Sequence, residues 1–343
     1  MALLKPNHDK LRSLSIYRLL TMKNILVRCL DAFWREPKAI WRDYRPFSMK
    51  EAVHNRYVFM VDGKRGHGGM FDRLKGLISI YAIAKSQQKE FKIHFIYPFK
   101  LEKYLQPRDY NWSLGNEGPN RHYPAARPVI AYGECYHPTR LFKDRKRETH
   151  FYYGYDSLKE INERFGTNYQ WGKLYHELFI PTSYLQQYID KYKKEIGDHY
   201  IVIHTRFLNL LGDKTETAIN PELPDDGKKM LMDRIRNKID ELVKEQKETA
   251  TRVMLASDSM TFISYMKEVM PSVYVVPGTV KHIDTAGKTD DSENIKMFLD
   301  YYLISMADKV YNIVAEGMWP SAFPEYAAKI GDAPFERLEF SSK

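Results

Sequence analysis

Cysteine is nearly missing: Cys29 and Cys135 are the only two in 343 residues, far apart and outside any Cys/His spacing that holds a metal. A disulfide framework and a structural zinc site are excluded on that count, and a reducing, cytoplasmic setting is the simplest reading. Long apolar runs are missing too. No stretch reaches the about 18 uncharged apolar residues of a membrane span. Lys10, Arg12, Arg18, Lys23, Arg28 and Asp31 interrupt the apolar N-terminus too often for a signal-peptide core. Neither G-x-S-x-G nor H-E-x-x-H occurs, and nothing resembles a Ser-His-Asp or cysteine nucleophile set, so hydrolase mechanisms of those types lose their basis.

What is present is a folded, basic chain. Hydrophobic residues make up 43% and aromatics 14%, enough for a substantial core and, at this length, for two domains. Fifty-three Lys and Arg against 44 Asp and Glu give a formal charge of +9, which fits an anionic partner: a nucleotide-linked substrate, a nucleic acid or an acidic membrane surface. The acids are spread along the chain and no nucleic-acid motif is recognisable, so nucleic acid is not the expected partner. Arg140, Lys143, Arg145, Lys146 and Arg147 form a local basic run that reads as a solvated loop.

Tyr200-Ile-Val-Ile-His-Thr-Arg-Phe207 has the look of a strand buried on both faces that ends in a basic pair. Ligands of open α/β sheets collect at the carboxyl ends of such strands. Period-two alternation puts His204 and Arg206 on one side, provided the extended conformation continues through Thr205. Arg206 can offer paired donors to a phosphate or carboxylate, and His204 can hydrogen-bond or titrate near neutrality. The plainer reading is an arginine pairing with a surface acid beyond a strand end.

Upstream, Leu11 to Trp34 carries apolar residues at mostly helical spacing among basic ones, which reads either as a basic amphipathic helix able to lie on an anionic membrane or as a helix packed on its own domain. Pro37 and Pro46 bound an irregular segment after it. Tyr57 to Val61 is a strand, followed by a loop holding Gly66, Gly68 and Gly69 and by a helix over 71–85. That layout exposes backbone N–H groups to an anion, though the glycines make neither G-x-G-x-x-G nor a P-loop and also suit a bare tight turn. Phe91 to Tyr97 is a second strand, and residues 98–178 read as long aromatic loops. A charged helix from Ser183 to Ile196 ends at Gly197-Asp198, the expected interdomain break. The remainder alternates strand and helix: a helix carrying Leu231, Ile235, Ile239 and Leu242, a strand Arg252–Ala256, a helix Met260–Met270, a strand Val273–Val276, a helix over 293–307, a strand Lys309–Val314 and a helix Ser321–Lys329. Such order argues a doubly wound parallel sheet. The expected domains are a basic extension over 1–50, a Rossmann-like acceptor-side domain over 51–197 and a Rossmann-like nucleotide-sugar-binding domain over 198–343. There is no D-x-D to chelate a metal on a nucleotide sugar, so a diphosphate would be neutralised by protein donors.

Five short motifs carry a resemblance. Gly68-Gly-Met-Phe-Asp-Arg-Leu-Lys-Gly76, Ile203-His-Thr-Arg206, Leu255-Ala-Ser-Asp258, Phe298-Leu-Asp300 with 305–308, and Ser321-Ala-Phe323 ahead of Ala327-Ala328 stand in the order of the fucosyltransferase superfamily, which includes nodulation-type and core α1,6-, α1,2- and protein O-fucosyltransferases. The resemblance implies an α/β, two-domain GT-B enzyme that transfers fucose from GDP-fucose with inversion, with no cofactor and no metal. It implies that Arg206 binds the β-phosphate, that His204 lies beside the donor, that Asp300 reads the guanine edge, and that Ser321, Ala322 and Phe323 form a loop holding phosphates or base. Gly68 and Gly69 match the glycine turn facing the nucleotide sugar. Asp258 would orient the ribose or cap its helix. Asp213 and Glu216 lie where the family's general base is expected, and either also suits an ordinary loop acid. Arg73 reads as a surface or salt-bridge residue of its helix. Phe207 stands where the core-type enzymes have a second arginine, and the loop between Asp308 and Ser321 looks longer than theirs.

The expected role is therefore a GDP-fucose-dependent enzyme acting on a glycan or lipid-linked oligosaccharide acceptor, in the cytoplasm and at the inner membrane face through the basic helix. The alternatives are a non-catalytic binder of nucleic acid or polyanionic glycan, suggested by charge and 25 tyrosines, and a nicotinamide-dependent oxidoreductase, which the missing fingerprint disfavours.

Overall fold

The computed structural model describes residues 33–46, 54–131, 138–213, 221–247, 252–279 and 290–340. Both cysteines, most of the 11–34 segment and Glu216 lie outside them. Two four-stranded parallel sheets organise the chain. The first contains β1 (Arg56–Val61), β2 (Glu90–Phe95), β3 (Ala126–Ala131) and β4 (Glu148–Tyr153) in the order β2-β1-β4-β3. The second contains β5 (Tyr200–Thr205), β6 (Arg252–Ser257), β7 (Lys309–Ala315) and β8 (Phe335–Phe340) in the order β6-β5-β7-β8. In place of the expected strand at Val273–Val276 there is only a bridge of Tyr274 to Met254, outside β6. Parallel neighbours need crossovers: α1 (Met70–Ser86) joins β1 to β2, while α2 (Leu158–Phe165), α3 (Trp171–Leu178) and α4 (Ser183–Ile196) lead from the first sheet to the second, where α5 (Asp225–Lys247), α6 (Met260–Val269), α7 (Asp291–Ser305) and α8 (Phe323–Gly331) connect successive strands.

Strand periodicity partitions the core. Tyr57, Phe59 and Val61 join the layer that holds α1, whereas Val58 and Met60 turn to the opposite face, where Ala39, Ile130 and Tyr152 cover them. In the second sheet Ile201 and Ile203 pack with Ile235, Ile239, Phe262 and Met266 of α5 and α6. Tyr200 and Val202 point the other way, into a layer that runs through α7, α8 and α3 to α1. One apolar layer thus serves both sheets. Gly172 shows how close it is: a Cβ there would sit 2.0 Å from the Lys329 carbonyl oxygen, so α3 and α8 meet nearly backbone to backbone.

Three expectations are corrected. Residues 98–178 contain β3, β4, α2 and α3 and are not long loops; Pro128 sits in β3 because that strand is an edge, where a missing N–H is tolerated. Residues 33–43 are helical across Pro37, held by burial of Glu36 and Ala39, with Tyr44 buried just beyond. The chain also adds a final strand, β8, paired along its length with β7. Among the described residues no helix is long and apolar enough to cross a membrane.

Candidate functional site

In each sheet the first strand lies where the strand order reverses, between β1 and β4 and between β5 and β7. The loops leaving β1 and β5 therefore open at the two switch points, the places where α/β sheets bind ligands.

After β1, Asp62 is buried and accepts from Arg121 Nη2 at 2.7 Å, Tyr152 Oη at 2.9 Å and the Lys64 N–H at 3.1 Å. Burial alone would raise its carboxyl, but these donors, Arg121 first, hold it below the usual carboxylate range. His67 Nε2 accepts from the Gly63 N–H at 3.0 Å, and its ring stacks on Tyr152. Burial, with Arg73 and Arg65 adding to it, pushes the His67 imidazole down to about 4. Gly68 has φ +64, and a Cβ there would meet Asp72 Oδ2 at 2.9 Å. Gly69 then starts α1 with no side-chain cap, so the first-turn N–H groups face outward at the positive end of the helix dipole. Arg73 is the correction here. It is buried, and it donates from Nε to the Gly68 carbonyl at 2.9 Å and from Nη1 to the Tyr97 carbonyl at 2.8 Å. Gly76, the last glycine of the same motif, is there for packing, since a Cβ would lie 2.2 Å from the Tyr153 carbonyl oxygen.

β5 stops at Thr205, so Arg206 begins the loop and does not continue the strand's alternation. His204 is buried and Arg206 half-buried. Asp258 ties this loop down: its two carboxylate oxygens accept from the Phe207 and Leu208 N–H groups at 2.8 and 3.0 Å. The cap of α6 is Ser259, whose hydroxyl accepts from the Phe262 N–H, and not Asp258. Asp213 supports that same helix start, accepting from the Ser259 hydroxyl and from Thr261 N at 3.0 Å and Oγ1 at 2.7 Å. Its carboxylate is thus turned to a helix terminus.

The third component is α8, whose N-cap is Ala322; the Ser321 hydroxyl accepts from the Phe323 N–H at 3.2 Å, and Pro324 brings no N–H to the first turn. Asn312 of β7, the cross-strand neighbour of His204, donates from Nδ2 to the Ser321 carbonyl at 3.0 Å and holds this start in place. The Trp319 N–H donates to the Arg206 carbonyl at 3.1 Å. Phe323 then joins the two halves: its ring lies 4.5 Å from Phe71, in the first turn of α1, and 5.6 Å from His204, nearly parallel to it. Tyr301 of α7 sits 4.7 Å from Phe71, and Tyr326 Oη donates across the cleft to Asp156 at 2.6 Å. Gly68, Gly69, His204, Arg206, Ser321, Ala322 and Phe323 are therefore brought to one cleft. Asp300 is one position before Tyr301, but its carboxylate is engaged by the buried Lys296 ammonium, 2.6 Å away at Oδ1 and in contact with Oδ2. Burial raises the Asp300 carboxyl, with Lys296 opposing.

Sequence reasoning missed Phe71, Lys296, Tyr301 and Asn312. A signal existed for Lys296, at i−4 from an acid within an apolar helix; the other three are ordinary core residues in the sequence. Among the described residues no group of three or more His, Cys, Asp or Glu side chains is placed to hold a metal ion.

No protein-family model matches the sequence, and no curated protein matches it. Among solved structures, a mutant of Arabidopsis thaliana FUT1 in complex with GDP superposes with a TM-score of 0.53 at 13% identity, covering 96% of this chain and 79% of that one. NodZ α-1,6-fucosyltransferase co-crystallized with GDP, a protein known from Bradyrhizobium, gives 0.50 at 15% identity, covering 80% of this chain and 92% of that one. The fold is GT-B. At the candidate site α1 comes from one Rossmann-like half and α8 from the other.

Proposed function

We propose that the chain is an inverting, metal-independent glycosyltransferase that moves fucose from GDP-fucose to a glycan acceptor, in surface polysaccharide or lipid-linked oligosaccharide synthesis. One observation carries the reading. The uncapped start of α1, from one half, meets α8 of the other half through the Phe71–Phe323 contact at 4.5 Å, beside the loop that carries Arg206. The α1 N–H groups and Arg206 are donors suited to a diphosphate. FUT1 in complex with GDP and NodZ co-crystallized with GDP share the fold, and the five ordered motifs lie on the elements that build the cleft.

In this scheme the acceptor hydroxyl attacks the anomeric carbon of fucose as the bond to the β-phosphate oxygen breaks. The electron pair leaves with GDP, Arg206 offsets the charge growing there, and the hydroxyl proton passes to a carboxylate. Asp213 serves the α6 start, so Glu216 is the acid assigned to the proton. Asp258 acts one step back, fixing the backbone that carries Arg206.

GDP release from GDP-fucose with a panel of glycan acceptors tests the proposal. Wild type should turn over, and Arg206→Ala should lose about 100-fold or more of that activity together with GDP affinity. Absence of turnover on every acceptor, or undiminished GDP binding in Arg206→Ala, would overturn it. A thermal shift by NAD and not by GDP would favour the oxidoreductase class.

A further inference from the structure

Among the described residues nothing covers the outer face of the 33–43 helix. Phe33 is 74% exposed, Trp34 53% and Trp41 88%, and the exposed Lys38, Arg42 and Arg45 lie among them. Single exposed apolar residues are ordinary; three large rings on eleven residues, interspersed with cations, are not. The inner face of the same helix puts Glu36 into a groove along β3, where it accepts from Arg140 Nη2 at 2.6 Å and from the Ile130 N–H at 3.2 Å. Arg127, Arg140, Lys143, Arg145, Lys146 and Arg147 line that groove, against Glu36 and Asp144. The basic run is thus gathered into one concave surface and is not a spread-out loop.

We infer that this outer face docks on a membrane surface of anionic phospholipid, with Trp34 and Trp41 seated at the headgroup level and the exposed Lys38, Arg42 and Arg45 meeting lipid phosphates. Tryptophan with flanking Lys and Arg is the composition that settles at such an interface, the rings supplying apolar area and the cations the attraction to lipid charge. A single-stranded nucleic acid is the competing occupant, since rings among cations also suit base stacking, and comparing vesicle with polynucleotide binding separates the two. The far end of the helix reaches the catalytic cleft: Asp43 pairs with Arg65, and Arg42 Nη2 donates to the Lys64 carbonyl at 3.2 Å, both in the loop that leads to Gly68. Docking by this helix therefore brings the cleft rim toward the lipid surface, which suits a lipid-linked acceptor; the docking itself does not depend on fucose being the sugar.

Flotation of the full chain with phosphatidylcholine vesicles, with and without phosphatidylglycerol, tests the inference. The wild type should float only with the anionic vesicles, and added salt should release it. Trp34→Ser/Trp41→Ser and Lys38→Glu should each weaken binding about tenfold or more, while GDP still shifts the melting temperature of both variants. Quenching of tryptophan emission by brominated lipid should fall in the Trp34→Ser/Trp41→Ser variant. Equal flotation with neutral lipid, no flotation, or flotation unchanged in both variants but abolished by removing residues 1–32 would overturn it. So would tighter binding to a polynucleotide than to vesicles, or lipid-independent self-association through the tryptophans.

Discussion

Arg73 reaches back from inside α1 to donate to the carbonyl of Gly68 at 2.9 Å, so a helix residue holds the glycine turn that leads into its own helix. The same guanidinium takes the Tyr97 carbonyl, and a lysine ammonium cannot span both acceptors in one plane. Arg73→Lys should therefore cost about 1 kcal/mol, because a part-buried carbonyl loses its donor. GDP affinity should fall with it, since the turn sets where the α1 N–H groups point. Calorimetric titration with GDP and thermal unfolding read the two effects, and an unchanged GDP affinity would separate the turn from the donor.

Asp213 and Glu216 should part company. Asp213→Asn loses part of the support at the start of α6 and should cost about 1 kcal/mol of stability, the range of a helix-cap deletion, with turnover altered only modestly. Glu216→Gln should leave stability and GDP binding in place and reduce turnover by about 100-fold or more, the loss expected when a general base is removed. The opposite pattern would return the base to Asp213.

The Lys296–Asp300 pair is buried within α7, four residues apart. Lys296→Met leaves a carboxylate without its counter-charge and should destabilise the chain by about 3–5 kcal/mol, whereas Lys296→Met/Asp300→Asn should recover much of that. If Asp300 also meets guanine, the double variant loses preference for GDP over UDP. Competition between the two nucleotides in a thermal-shift assay is the measurement.

Acid should loosen the loop after β1. The His67 imidazole is held down to about 4 by burial, against an ordinary 6.5. Above 6.5 neither the folded nor the unfolded chain binds this proton, and the effect vanishes. As pH falls from 6.5 toward 4 the unfolded chain takes a proton that the folded chain refuses, so stability declines, by on the order of 3 kcal/mol at most from this group. Protonation also removes the acceptor for the Gly63 N–H. Denaturation at pH 7 and pH 5 should show a smaller acid loss in His67→Gln than in wild type.

Most of the second half was legible because each of β5, β6 and β7 is a compact apolar run and its helices keep their period; the strand expected at 273–276 and the missed β8 are the exceptions. In the first half β3 carries Pro128 and an arginine, and β4 reads Glu-Thr-His-Phe-Tyr-Tyr. Tertiary partners, not pattern, make these strands: Arg56 and His150 satisfy Glu148, at 2.7 and 2.8 Å, and let a carboxylate enter a sheet. The cleft residues were legible where a motif stood at a strand or helix end. The supports, Arg73 and Lys296 above all, were not, since a buried cation has the same letter as an exposed one until its acceptor is known. Asp258 and Asp213 were found by position, but their carboxylates turn to backbone N–H groups that only the folded loop brings near.

The apolar layer that runs from α1 through α3, α7 and α8 to Val202 is shared by the two Rossmann-like halves, so they are expected to unfold together. A chain cut at Gly197 would leave both pieces with a raw, ring-studded face, each the other's natural cover. Mixing the pieces should rebuild the cleft by complementation, and neither should melt as an independent unit. If a diphosphate binds between the α1 start of one half and Arg206 of the other, as proposed, it would also act as a latch that resists the parting of the halves.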